Sequence, residues 1–561
     1  MLLLSLIIAG ASTTTSTKPN IVLFLTDDED VVLGGFGMGG GGDTATEPTQ
    51  PLPRHVPALR SRGTLITHWY ANTPVCCPSR ANILTGRYFH SLAWSDPNRW
   101  DTTPNGHPRQ CMHINESALS PGPTFAAPLA AAGYNVGFFG KYLNISPRRA
   151  PTGAHTYFVN PGPAAKSVAD PTGEYYPEFW YHINATHNGT TAFNGTQYET
   201  HIIANAATAW LRSVVVNEEE GAAKQQQQQQ QQQQKPFFLY VAPHSPHGAA
   251  IPEPKYEGVF GSNVSEPRQP RVRAPRTPSW NVSAPDHHWL VAQQQPVTPV
   301  EVRWADVEYA RRWECLLSYD DLVGRVVDEV EALGETPNTY FFLTSDHGFH
   351  FHELRLGVGK WSVYETDIRV PMLVVGPGVS QNATARGLVG SHADLTPTWL
   401  ELAGVARPAW VDGRSVAWQL LGGGMSSNGD GDVSSSSSSS SSRSVGLRPA
   451  NAAYVEYHGL GMQVRHGKRI MDSFNNTFRA IRLVDGPDAG LFNTSENLLY
   501  AEWGGDFLFK SVVFREVYDM DVDPWQMHNL YDEWNHTHKL RLEQLEELTH
   551  AMYHCKGSGC L

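Results

Sequence analysis

Basic side chains are in short supply in this chain. Lys and Arg total 42 against 55 Asp and Glu, a formal net charge of −13. It therefore lacks the cationic field that nucleic acid or an anionic membrane surface would need. An anionic substrate would be repelled by the whole and must be held by a local cluster of cations or by a metal. Long apolar runs are missing too: no segment reaches the roughly 18 uninterrupted apolar residues of a bilayer-spanning helix. Residues 1–10 form only a short apolar stretch, and Ala9-Gly10-Ala11 suits a signal-peptide cleavage site, although no basic residue precedes the run. Six cysteines in 561 residues are too few for a disulfide scaffold. Cys555 and Cys560 flank Lys-Gly-Ser-Gly, a spacing suited to a small bridged loop. Cys76, Cys77, Cys111 and Cys315 remain.

What is present in quantity points to a secreted or lumenal α/β protein. Eleven Asn-x-Ser/Thr sites, from Asn115 to Asn535, together support passage through a glycosylating pathway. Apolar runs at 20–26, 135–139, 236–241, 339–344 and 371–375 read as buried strands. Helical stretches at 126–132, 200–216, 304–333 and 394–402 alternate with them, which indicates a mostly parallel sheet flanked by helices. Candidate chemical groups fall just past strand carboxyl ends, where such sheets place their sites. Gly35-x-Gly37-x-x-Gly40 formally matches a dinucleotide fingerprint, but it has no βαβ context and reads as a loose loop. Two tracts cannot bury a core: glutamines at 225–234 and serines at 434–442. The expected organisation is a leader at 1–17, a catalytic domain at 18–421 carrying the glutamine insertion, a linker at 422–446, and a smaller α+β subdomain at 447–561. Short strands near 453–456, 478–483 and 515–518 and a closing helix at 538–552 belong to that last part.

The most informative run is Cys76-Cys77-Pro78-Ser79-Arg80, followed by Leu84-Thr85-Gly86-Arg87. A secreted cysteine taken alone is more often bridged. This run, however, resembles the signature of the formylglycine-dependent sulfatases, Cys-x-Pro-Ser-Arg-x-x-x-Leu-Thr-Gly-Arg, without a mismatch. The resemblance implies that a formylglycine-generating enzyme oxidises Cys76 to an aldehyde. Its hydrate is a geminal diol: one hydroxyl attacks sulfur, and the other loses its proton so that the aldehyde reforms and sulfate leaves. It also implies an alkaline-phosphatase-like fold with a smaller C-terminal sheet.

Further positions follow from the same resemblance. Asp27 with Asp28, and Asp346 with His347, match the family's metal-ligand pairs, joined by Cys76; oxygen-rich ligands suit calcium. Either acidic pair alone would read as a helix cap. Arg80, Lys141 in Gly140-Lys141-Tyr142, and Lys360 in Gly359-Lys360-Trp361 are the expected sulfate-holding cations. A lone lysine is usually a solvated surface group, but Lys141 directly follows a buried strand. His244, in Ala242-Pro243-His244-Ser245-Pro246-His247, resembles the histidine that protonates the leaving alcohol, with His247 a second choice. Where many relatives carry a histidine shortly after the Gly-Lys pair, this chain has Leu143-Asn144. Asn144 cannot take a proton in that way. His350 and His352 are read as supporting groups beside the metal pair.

Within the family, Leu25-Thr-Asp-Asp-Glu-Asp30, Gly140-Lys-Tyr-Leu-Asn144, Leu317-Ser-Tyr-Asp-Asp-Leu322 and the closing Cys555–Cys560 loop resemble the N-acetylglucosamine-6-sulfatase branch and its arylsulfatase relatives. His347, where that branch tends to carry Asn, and the stretch 147–184 depart from it. The expected substrate is a sulfated sugar or an aryl sulfate, and the expected location extracellular (cell wall or periplasmic space) or lysosomal. A phosphate or phosphonate ester hydrolase of the same fold is the alternative activity, and a glycan-binding pseudoenzyme the alternative class. The retained Cys76, Arg80 and aspartates argue against the latter.

Overall fold

The computed structural model describes residues 18–31, 54–92, 124–143, 150–159, 183–187, 190–195, 197–215, 235–263, 268–422, 425–428, 432–435, 447–461, 463–465, 469–485 and 497–561. The leader, the glycine-rich loop, Cys111, Asn144, most of 147–184, the glutamine tract and most of the serine tract lie outside these residues.

A continuous apolar run makes a strand that can be covered on both faces, and β1 (Asn20–Thr26) is buried along its whole length. Its side chains alternate between two layers. Ile21, Leu23 and Leu25 pack with Leu84, Leu129 and Trp399. Val22 and Phe24 pack with Trp210, Trp313 and Val323. The sheet around β1 contains β2 (Thr64–Tyr70), β3 (Asn135–Gly140), β4 (Thr156–Val159), β5 (Ile183–His187), β6 (Thr190–Gly195), β7 (Phe237–Ala242) and β8 (Thr339–Ser345). It is completed by β9 (Arg369–Val375), β10 (Ala383–Ser391), β11 (Met425–Asn428) and β12 (Asp432–Ser435). The order is β11-β12-β10-β2-β9-β8-β1-β7-β3-β4-β5-β6. The central four, β8-β1-β7-β3, run parallel, so their carboxyl ends share one edge. β9 is antiparallel to both of its neighbours, β8 and β2.

Helices cover both faces. α1 (His55–Arg60) lies on the Val22 side; α2 (Cys76–Thr85) and α3 (Ala126–Ala131) lie on the Ile21 side. α4 (Glu199–Val215) and α5 (Pro299–Ala332) share the face of α1, and α6 (Leu395–Leu402) that of α2. α5 starts about one turn before the expected residue 304. Thr298 accepts from the Glu301 N–H while the Glu301 carboxylate accepts from the Thr298 N–H, a capping box with Pro299 at the first helical position. α2 was not anticipated because all ten of its residues are buried, which erases the amphipathic signature.

The second sheet is an antiparallel meander, β13 (Ala452–Tyr457), β14 (Phe478–Leu483), β15 (Leu498–Gly504) and β16 (Val512–Asp519). α7 (Lys539–His554) packs on it. It grips the chain just ahead of α2: Asn72 Nδ2 donates to the Tyr454 carbonyl at 2.8 Å, and the Glu456 N–H to the Asn72 carbonyl at 2.8 Å. Cys555 and Cys560 are bridged, as their spacing suggested, and Cys77 and Cys315 are buried free thiols.

Candidate active site

The shared carboxyl edge gathers the residues singled out in the sequence. Asp27 and Asp28 follow β1, Lys141 follows β3, His244 follows β7, and Asp346 and His347 follow β8. Cys76 opens α2, and Arg80 lies one turn further on. Lys360 comes in after a short hairpin, His350–Phe351 paired with Val358–Gly359. Local geometry aims these groups. Asp28 takes a left-handed φ of 69°; its N–H donates to Asp346 Oδ1 at 3.0 Å, and its carbonyl accepts from the Arg312 guanidinium. Gly140 must be glycine: its φ is 104° and a Cβ would lie 2.1 Å from the Ala242 carbonyl oxygen. That close approach of β3 to β7 seats Lys141, whose N–H donates to the same carbonyl at 2.6 Å.

Cys76 Sγ lies 3.7 Å from Asp27 Oδ1, 4.0 Å from Asp28 Oδ1, 3.4 Å from His347 Nε2 and 3.1 Å from Lys360 Nζ. Burial opposes thiolate formation, but Lys141 and Lys360 outweigh it and hold the thiol well below its usual range. One donor atom each from Asp27, Asp28, Cys76 and His347 lies within 4.8 Å of the others, all buried. Two carboxylates with an imidazole form a donor set that fits a hard divalent cation. Asp346 adjoins this group: its Oδ2 accepts from Arg80 Nε at 2.9 Å, and its Oδ1 is 3.5 Å from His347 Nε2.

Three cations ring the carboxylates. Lys141 Nζ is 2.5 Å from Asp27 Oδ2, and Lys360 Nζ is 2.5 Å from Asp28 Oδ1. Burial disfavours both carboxylates, yet these lysines hold them below the ordinary range. Arg80, fully buried, donates to Asp346 and the Lys141 carbonyl. Its Nη2 stands 3.7 Å from Asp27 Oδ2 with no hydrogen-bond partner among the described residues. Such an edge can bind a tetrahedral oxyanion beside a sulfur-bearing side chain.

Two histidines sit at the rim of this cluster. His244 is buried, with Nδ1 2.6 Å from Glu199 Oε1. His247 is partly exposed, with Nε2 3.8 Å from Asp28 Oδ2. His350 and His352 bind within the fold: His350 Nδ1 is 2.8 Å from Asp367 Oδ1, and His352 Nδ1 is 2.8 Å from the Leu356 carbonyl. Sequence reasoning missed Glu199, Arg312 and His392. His392 Nε2 meets the Asp346 carbonyl at 2.9 Å, and burial lowers its pKa to about 3, so it supports that loop as a neutral ring. Nothing local in the sequence marks these three; their partners are 45 or more positions away.

A mixed, mostly parallel sheet with a buried ionic cluster at its carboxyl edge, beside a smaller C-terminal sheet, defines an alkaline-phosphatase-like hydrolase fold. Within that class the sulfatase family model matches residues 19–405, and the chain belongs to the sulfatase family. Human N-acetylglucosamine-6-sulfatase is 29% identical over 534 residues, covering 91% of this chain and 81% of that protein. The arylsulfatase of Volvox carteri is 26% identical over 593 residues, with 97% and 75% covered. Among solved structures, a protein in complex with its substrate D-glucosamine-2-N,6-O-disulfate superposes with a TM-score of 0.64 at 19% identity, covering 94% of this chain and 97% of that one. At that identity the likeness speaks for the fold.

Proposed function

We propose that this sulfatase releases sulfate from a sugar or aryl sulfate monoester, with Cys76 oxidised to formylglycine and calcium held by Asp27, Asp28, Asp346, His347 and the modified residue 76. One contrast carries the reading. Cys77 packs into an apolar cluster, whereas its neighbour Cys76 opens the helix within 4.0 Å of two aspartates, a histidine and a lysine. As its hydrate, formylglycine supplies one hydroxyl for attack on sulfur and a second whose deprotonation expels sulfate. Calcium at the carboxylates supplies Lewis-acid polarisation of the sulfate.

The remaining work falls to side chains. Arg80, Lys141 and Lys360 hold the sulfate oxygens and balance charge where water is excluded. His244 gives a proton to the departing alcohol oxygen. Asn382, Asn475 and Asn535 are exposed and in sequons, which suits a secreted glycoprotein matured by a formylglycine-generating enzyme. The test is mass spectrometry of the tryptic peptide 63–80 from the native host, paired with assays on glucosamine 6-sulfate and 4-nitrophenyl sulfate with and without chelator. An aldehyde at Cys76 and chelator-sensitive desulfation are expected. An intact thiol, or a Cys76–Cys77 bridge in an inert protein, would overturn the mechanism in favour of glycan binding.

A further inference from the structure

Glu199 is the first residue of α4 and fully buried. A carboxylate at a helix start ordinarily caps the helix's own N–H groups. Here the two oxygens go elsewhere: Oε2 accepts from the His244 N–H at 2.8 Å, and Oε1 meets His244 Nδ1 at 2.6 Å. One carboxylate thus clasps main chain and ring of a single residue. The helix N-terminus offsets part of the cost of burying it. The loop it clasps is fixed on the other side as well. The Ser245 carbonyl accepts from the Asp27 N–H at 3.1 Å, and Ser245 Oγ donates to the Cys315 carbonyl at 2.9 Å.

We infer that Glu199 is a positioning residue for the departing alcohol: it holds His244 with Nδ1 protonated, so that proton transfer runs through Nε2. This rests on the sulfatase reading above. In the step it serves, the attacking hydroxyl at residue 76 gives its proton to the Asp27 carboxylate, whose Oδ1 lies 3.7 Å from Cys76 Sγ, and the new oxygen–sulfur bond forms as the ester oxygen–sulfur bond breaks. The bonding pair stays on the alcohol oxygen, which takes the proton from His244 Nε2, and the ring is left neutral with Nδ1–H still on Glu199. A rotated or wrongly tautomeric ring cannot make that transfer. The consequence is selective. A leaving group that is stable as an anion needs little protonation, whereas a sugar or phenol hydroxyl needs much.

The experiment uses the full chain, purified from the host that modifies it, with Glu199→Gln and Glu199→Ala beside wild type. Substrates are 4-nitrophenyl sulfate, phenyl sulfate and glucosamine 6-sulfate. The expected result is a loss of kcat/KM on phenyl and sugar sulfates at least about tenfold greater than the loss on 4-nitrophenyl sulfate, within the range of general-acid effects. Equal losses on all three, or none, would overturn the positioning role, since a merely structural defect lowers every substrate alike. Wild-type protein inert toward all three would instead overturn the sulfatase reading. A second readout is independent of turnover. In Cys76→Ala protein, a downfield Nδ1–H proton resonance that disappears on His244→Ala should also disappear on Glu199→Ala. Its persistence in Glu199→Ala would likewise overturn the assignment.

Discussion

Two regions of this molecule bury charge, and they do so to opposite ends. At the carboxyl edge of the large sheet, Lys141, Lys360 and Arg80 surround Asp27, Asp28 and Asp346, and Cys76 and a histidine point into the same space. Asp27, Asp28 and Asp346 each meet more than one cationic side chain, and Arg80 Nη2 has no hydrogen-bond partner among the described residues. In the C-terminal sheet, charges are instead closed off. Arg479 Nε donates to Glu502 Oε2 at 2.8 Å under the rings of Phe509 and Tyr553. Glu516 accepts from Tyr518 at 2.8 Å and from the His288 N–H at 2.7 Å. Buried charge is therefore a poor marker of a site; convergence of several charges on one point is the better one.

The comparison breaks if mutation affects both regions alike. Cys76→Ala should lower desulfation by about 10⁴-fold or more, the scale of losing a nucleophile, with little change in Tm. A variant that keeps even a tenth of the activity would remove Cys76 from the chemistry. Arg479→Met should do the reverse, destabilising the fold by about 3–5 kcal/mol because Glu502 stays buried and loses its chief partner, with kcat unchanged in the folded fraction. Urea unfolding beside steady-state kinetics separates the two. A large kcat change in Arg479→Met would mean that the C-terminal sheet shapes the site directly.

Acid sharpens the contrast within the C-terminal region. His458 is buried against Phe89 with neither ring nitrogen hydrogen-bonded among the described residues, and burial lowers its pKa to about 4. The unfolded chain takes up that proton near pH 6.5 and the folded chain only near pH 4, so stability is lost as pH falls through that window. The shift corresponds to about 3 kcal/mol. Its neighbour His90 behaves oppositely: burial disfavours its charge, but Glu456, 3.0 Å from its Nδ1, raises its pKa. Its contribution is present below pH 6.5 and fades as pH rises through the raised value. His458→Phe should flatten the stability loss between pH 6.5 and 4; an unchanged acid limb would show that the ring is not held neutral.

The same contrast explains what the sequence disclosed. The clustered residues sit in short motifs, so the family resemblance could pick out Cys76, Asp27, Asp28, Lys141 and Asp346, and the apolar runs before the aspartates and Lys141 placed those at strand ends. Glu199 and Arg312 could not, because their partners are distant in sequence and a lone Glu or Arg on a helix carries no local signature. β15 was missed although all seven of its residues are buried. Its mixture of Leu, Tyr, Ala, Glu and Trp offers neither an unbroken apolar run nor clean alternation. α2 was hidden by the opposite fault, burial all round.

The start of α5 was legible and overlooked, and it supplies the smallest effect. Thr298-Pro-Val-Glu301 is a capping box, and the Glu301 carboxylate also meets Arg469 Nε at 2.9 Å, linking the long helix to the C-terminal part of the chain. The cap is exposed, so water can replace what Thr298 gives up. Thr298→Ala should therefore cost only about 1 kcal/mol, with activity intact despite Arg312 lying further along the same helix. Amide exchange would show the loss confined to the first turn of α5, since helix termini open locally without unfolding the core. If protection also fell around Arg312 and Asp28, the helix would be acting as a rigid lever on the site, and the separation between structural and convergent charge would not hold along α5.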